Sequence, residues 1–157
     1  MLTIYHASSE RVPRPDIYHS RQYLDFGPGF YATPIIQQAI NYASRFTRRG
    51  LAAWLNTYNA KDDFSQYKVL TFDNYNEGWL DYVTECRAGH VTDDYDVVIG
   101  GVANDKVFRT IDLYFANLIN KDEALNRLKY EKPNNQYCFR TQAVIDECIT
   151  FINAREL

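Results

Sequence analysis

The segment Leu24-Asp25-Phe26-Gly27-Pro28-Gly29-Phe30-Tyr31-Ala32-Thr33-Pro34 admits few conformations and constrains everything around it. Gly27 and Gly29 can adopt positive φ and let another backbone or a ligand come close, while Pro28 stiffens the turn between them. The next residues read as a short strand, so Phe30 and Tyr31 point to opposite faces. One ring then enters a core and the other is left for something else. Thr33 is placed to cap a helix that Pro34 opens as its first residue. An aromatic ring held rigidly beside a helix start, over a gap that lacks side chains, suits a flat aromatic ligand.

Around this segment the chain has the length of a single domain, 1–157, able to bury about two-thirds of its unfolded surface. Its 13 Tyr, 9 Phe and 2 Trp predict a core of rings with polar tips, and surfaces able to stack on bases or heterocycles. Cys86, Cys138 and Cys148 are odd in number and lack C-x-x-C spacing, which disfavours a disulfide framework or zinc site and fits a reducing compartment. No charged-then-apolar leader is visible, and no apolar run nears the roughly 18 residues that cross a bilayer. The expectation is a soluble, cytoplasmic protein that does not enter membranes. Residues 1–49 hold six Arg, no Lys and three acids, whereas residues 50–105 hold three basic residues and ten acids. An arginine-rich first third suits a phosphate-bearing ligand, since guanidinium binds phosphate oxygens in pairs; a solvated face of uneven charge would look the same.

In chain order, Leu2–Ala7 reads as a strand ending near His6, and residues 8–23, with Pro13 and Pro15, as a long loop. After the central turn and strand, residues 34–49 carry Ile35, Ala39, Tyr42, Ala43 and Phe46 at helical spacing, with Gly50 as the stop. Strands are predicted at Leu51–Thr57, Tyr67–Phe72, Asp96–Gly101 and Gln136–Arg140. Helices are predicted at Gly78–Arg87, Lys106–Ile119, Lys121–Tyr130 and Thr141–Ile149, the last followed by a tail. Asn120 and Glu123 have capping-box spacing. Strand–helix alternation is irregular, so an α+β fold is expected rather than a doubly wound sheet.

Three strand-borne polar residues stand out: His6, Tyr31 and Gln136. Taken singly, a structural histidine, one of many tyrosines and a polar strand entrance explain them. Taken with the Gly-Pro-Gly turn, they resemble the ADP-ribosyltransferase superfamily, in the branch of diphtheria-like toxins and poly(ADP-ribose) polymerases. Tyr5-His6-Ala7-Ser8 looks like that family's His-Gly-Ser or His-Gly-Thr strand end, and Phe26-Gly27-Pro28-Gly29-Phe30-Tyr31 looks like its Phe-Gly-x-Gly-x-Tyr motif. Asn41-Tyr42 matches the second ring of the family's nicotinamide sandwich, and Gln136-Tyr137 falls where the family has Glu and an aromatic. The whole pattern is similar to a bacterial family of small ADP-ribosyltransferase-like domains formerly of unknown function.

The resemblance implies a split β-sheet fold with helices packed on the sheets, and NAD as substrate with no metal. His6 would bind an adenosine-ribose hydroxyl, and Tyr31 and Tyr42 would sandwich the nicotinamide. Gln136 would hold the nicotinamide-ribose 2′-hydroxyl, and Arg14 or Arg21 the pyrophosphate. Gly29 and Ser8 would lie beside the ligand. Ala7 replaces the family's glycine, but its backbone N–H and C=O, which in the family hold the nicotinamide amide, remain available. The family's amide-binding serine falls at Ala39, so that bond is either missing or supplied by Thr33. Gln136 replaces glutamate and cannot act as a base, which points to single transfer rather than chain formation; Asp94, Asp96 and Asp105 are the acids left to deprotonate an acceptor. The acceptor would be a protein or nucleic acid, and a neutralising antitoxin partner goes with a toxin or defence effector. Two other readings stay open: a degenerate module that binds NAD, ADP-ribose or nucleic acid without turnover, and a metal-dependent hydrolase using His6, His19 and His90.

Overall fold

Among the described residues, seven strands and five helices follow one another in the order β1 (Leu2–Ser8), β2 (Phe30–Ala32), α1 (Ile36–Arg48), β3 (Trp54–Ala60), β4 (Val69–Thr71), α2 (Glu77–Arg87), β5 (Val97–Gly100), α3 (Asp105–Phe115), α4 (Lys121–Leu128), β6 (Gln136–Phe139), α5 (Gln142–Cys148) and β7 (Ile149–Glu156). The structure is a computed structural model and describes residues 1–21, 23–102 and 105–157, with Asp105 by its backbone alone. The strands form two sheets, β1-β3-β7 and β2-β6-β5-β4. All pairings are antiparallel except β4 with β5. The fold class is α+β, as the irregular alternation predicts.

Alternation along the second sheet sends Phe30, Ala32, Val97 and Phe139 to one face, where they meet Ile4, Tyr58, Val144 and Ile145. Phe26, Val98 and Cys138 face the other way, against Trp79, Leu80 and Val83 of α2 and Val107 and Ile111 of α3. On the outer face of the first sheet, small residues bring α1 close: Ala39 and Ala43 pack on Ala7, Ala53 and Leu55. Ala39 is thus buried packing, 4 % exposed.

The helix ends follow their sequence signals. Asn76 and Asn120 accept N–H bonds from Trp79 (2.9 Å) and Glu123 (2.8 Å), capping α2 and α4. Gly50, at φ +73°, ends α1 with a Leu51 N–H to Phe46 O bond of 3.0 Å. The start of α1 differs from expectation. Its N-cap is Ile35, with no side-chain cap, and Thr33 lies two residues further back. β3 also runs on through Ala60, past the predicted end at Thr57, and the tail after α5 is a full strand, β7.

Candidate active site

Where β1 meets β2, backbone pairing starts and stops within one residue. Tyr5 and Thr33 exchange both hydrogen bonds, Tyr5 N–H to Thr33 O at 2.8 Å and Thr33 N–H to Tyr5 O at 3.0 Å. Along a strand, the N–H and C=O of successive residues point to alternate edges. Those of Ile4 and His6 therefore face β3, opposite Tyr58 and Asn56, while those of Tyr5 and Ala7 face β2. Continued register would set Ala7 against Tyr31. The His6 imidazole intervenes: its Nδ1–H donates to Tyr31 O at 2.6 Å, taking the carbonyl that the Ala7 N–H would otherwise meet. No bridge pairs Ala7 with Tyr31 among the described residues, so the Ala7 N–H and C=O and the Tyr31 N–H face this gap. Ala7 is only 6 % exposed, and backbone polar groups in so buried a residue call for a partner. A donor and an acceptor on one residue, facing the same way, complement a primary carboxamide.

His6 sits at the edge of this opening with its ring on Phe30, centroids 4.5 Å apart. Burial pulls its pKa below the ordinary 6.5, outweighing the bond to the Tyr31 carbonyl, which acts upward. Near neutrality the ring is uncharged, with its proton on Nδ1 because a carbonyl can only accept. Nε2 then offers a lone pair. It has no hydrogen-bond partner among the described residues. Such a nitrogen can accept from a hydroxyl.

Tyr31 departs from expectation. Its hydroxyl donates to Gly27 O at 2.6 Å and accepts from Phe26 N–H at 3.0 Å, and its ring stacks on Phe26. Burial raises its pKa well above the ordinary 10.0, so it stays a phenol. The ring is a clamp on the Gly-Pro-Gly turn, on the opposite side of β2 from His6, and no ring contact joins it to Tyr42. What Tyr31 lends to the opening is its backbone. Tyr42 is 41 % exposed on α1, edge-on to Phe46 and under the Arg45 guanidinium at 4.5 Å. The expected sandwich is not formed by these two rings.

Gln136 lies one residue beyond the Ala32–Tyr137 pair, which brings it beside Thr33. Its Nε2 donates to Gln38 Oε1 at 3.0 Å. The Thr33 hydroxyl accepts from Ile35 N–H (3.1 Å) and lies 2.9 Å from both Gln38 Oε1 and Asn135 O. The Thr33 proton and one lone pair are therefore taken within the protein, and the one acceptor position left cannot donate to a ligand amide's oxygen. Gln136 Oε1 has no hydrogen-bond partner among the described residues. Gln38 is not legible from sequence. Its only signal is a polar side chain one turn before Tyr42.

The other predicted positions spread out. Ser20 Oγ accepts from Gly29 N–H at 2.9 Å, which sets the exposed Arg21 beside the glycine turn. Arg14 is carried toward α5, where the neighbouring Pro15 O accepts from Gln142. Ser8 turns back to Glu10 N–H at 3.4 Å. Gly29 lacks positive φ; an added Cβ would lie 2.7 Å from Phe139 O, so β6 requires the glycine, not a ligand. Asp94 pairs with Lys68 on the surface, and Asp96 accepts from Lys68 N–H and the Thr141 hydroxyl. The Asp105 side chain lies outside the described residues. His19 and His90 are exposed and pair with Asp16 and Glu85, away from His6. Among the described residues, no three His, Cys, Asp or Glu side chains gather to hold a metal ion. Surface grooves of about 440 Å³ along α3 and about 540 Å³ beside Lys61 and Tyr67 are lined by none of the candidate residues.

The family described as Protein of unknown function (DUF3990) matches residues 2–151. The chain belongs to that family. No curated protein and no solved structure matched it. The matched span includes His6, Ala7, Tyr31, Gln38 and Gln136, and the family's description names no activity.

Proposed function

We propose that the chain is an NAD-dependent mono-ADP-ribosyltransferase with a split-sheet ADP-ribosyltransferase fold, acting as a toxin or defence effector. The observation that carries this reading is the open donor–acceptor pair on Ala7 beside the neutral His6. The nicotinamide carboxamide docks there, its N–H to Ala7 O and its oxygen to Ala7 N–H. His6 Nε2 accepts from the adenosine-ribose hydroxyl, and Gln136 Oε1 from the nicotinamide-ribose 2′-hydroxyl. The bond from ribose C1′ to the pyridinium nitrogen breaks with its electron pair staying on nitrogen, which neutralises the leaving group. The oxocarbenium-like carbon then bonds to the acceptor, whose proton passes to solvent. Orientation and charge stabilisation suffice because nicotinamide leaves readily. Gln136 takes no proton, so the acceptor is either a good nucleophile by itself or deprotonated by another group.

Two observations favour a second reading, a binding module without turnover. Gln136 is an amide, and the Tyr31 ring is packed inward. Purified protein incubated with NAD separates the two by the nicotinamide it releases. Release is expected, with His6→Ala and Gln136→Ala each lowering it at least about tenfold, the loss of about 1.4 kcal/mol of transition-state stabilisation. Nicotinamide should inhibit, and N,N-dimethylnicotinamide, which cannot donate to Ala7 O, should not. NAD binding without release leaves the module, and equal inhibition by both amides removes Ala7 from the site.

A further inference from the structure

We propose that the outward stripe of α1 binds single-stranded nucleic acid and that this strand is the acceptor. Gln38, Tyr42, Arg45 and Arg49 follow one another at steps of four, three and four residues, one line along a helix. The line begins at the site, where Gln38 is bonded to Gln136. It runs from there for about 16 Å, at about 1.5 Å per residue. Arg48 lies beside it.

The charge along this face is unlike the rest of the molecule. Residues 26–61 contain no Asp or Glu, in a chain of net charge −3. Arg45, Arg48 and Arg49 enter no ion pair among the described residues. Glu156, opposite Trp54 near the far end of the helix, makes none with them either. A surface with three guanidinium groups that enter no ion pair among the described residues, on a helix that carries no acid of its own, attracts a polyanion.

The ring selects which polyanion. Tyr42 remains 41 % exposed although Arg45 covers one face, so an aromatic plane and a guanidinium plane are presented together. Unpaired bases stack on both, and their phosphates pair with arginine. An acidic peptide would use the arginines and gain nothing from the ring, and a duplex keeps its bases stacked on one another. This inference rests on the transferase reading only in calling the strand an acceptor; binding belongs to α1 and is measured without NAD.

The test is fluorescence anisotropy with labelled single-stranded RNA and DNA of mixed sequence, about 12 nucleotides long. A duplex of equal length and a poly-glutamate peptide are the controls. Single strands are expected to bind, more weakly as salt rises. The Arg45→Ala, Arg48→Ala, Arg49→Ala triple variant should flatten the salt dependence by roughly 0.7 in log–log slope for each phosphate it no longer neutralises. Tyr42→Ala should weaken binding about tenfold with the slope unchanged. Absent binding, tighter binding of duplex or poly-glutamate, or an unchanged Kd in a triple variant that keeps its circular dichroism spectrum overturns the proposal. Should the triple variant fail to fold, Arg45→Gln alone carries the same comparison. Nicotinamide release without strand binding overturns this inference alone; strand binding without release upholds the site on α1 and removes the transferase.

Discussion

His6 holds the opening apart by what its two nitrogens do. Nδ1–H occupies the Tyr31 carbonyl, which leaves Nε2 as the ring's acceptor. Because burial lowers its folded pKa, the unfolded chain binds this proton more readily between that value and 6.5. The contribution to stability is therefore complete above 6.5 and is lost as pH falls through the folded value. His19 runs the other way: the Asp16 carboxylate raises its pKa, so its small, exposed contribution is present at low pH and lost on the alkaline side. Comparing wild type with His6→Gln cancels His19. Urea denaturation at about pH 7.5 and about pH 5 is expected to show wild type losing more stability on acidification than the variant. An equal loss in both would mean that the folded protein does not penalise a charged His6.

At the scale of elements, Gly29 shows why β2 can lie against β6. A Cβ there would meet Cys138 Sγ and Phe139 O, each at 2.7 Å, although the φ of Gly29 is not positive. Gly29→Ala is expected to cost about 1–3 kcal/mol by overpacking, read as a shifted urea midpoint with unchanged m. A midpoint like wild type would show that β6 can yield. The glycine turn is legible in the sequence, but its reason is not: a facing strand, rather than a ligand, makes the close approach. The same limit hides β7. Its pairing with β3 shifts between Thr57 and Tyr58, so Phe151 faces Tyr58 and Asn153 faces Thr57, and Ile152 is passed over. That breaks the alternation a strand shows in sequence, and β7 follows α5 with no turn signal between. Local spacing alone makes Thr33 a cap. Its backbone is committed to Tyr5 and its hydroxyl also lies beside Asn135 O, and neither of these distant partners is visible in a local window. That His6, Tyr31 and Gln136 lie on strands is legible, but that those strands lie side by side is not, because β1 meets β2 only through the Tyr5–Thr33 bridge between two sheets. The direction of the Tyr31 ring, set by Phe26 and the turn, cannot be read from spacing.

The molecule as a whole joins two differently built halves, and the candidate site is the seam. One half is the β1-β3-β7 sheet with α1; the other is the β2-β6-β5-β4 sheet with α2, α3 and α4. The turn before β2 is anchored in the second half by Asp25, whose carboxylate accepts from Arg87 Nε at 2.6 Å, a pair only 9 % and 17 % exposed. Arg87 also lies 4.6 Å over the Phe108 ring, which links α2 to α3. Breaking so buried a pair from one side leaves a carboxylate without its guanidinium in a low-dielectric setting. Arg87→Met is therefore expected to cost about 3–5 kcal/mol, and Arg87→Met combined with Asp25→Leu much less, because no charge is then stranded. Equilibrium unfolding of the single and double variants reads the difference. If the double variant is as unstable as the single, the pair's value lies in the turn geometry that Asp25 holds, not in its charge. On the proposed transferase reading, nicotinamide release then tells the cases apart, because a turn that has moved carries Tyr31 and the gap beside Ala7 with it.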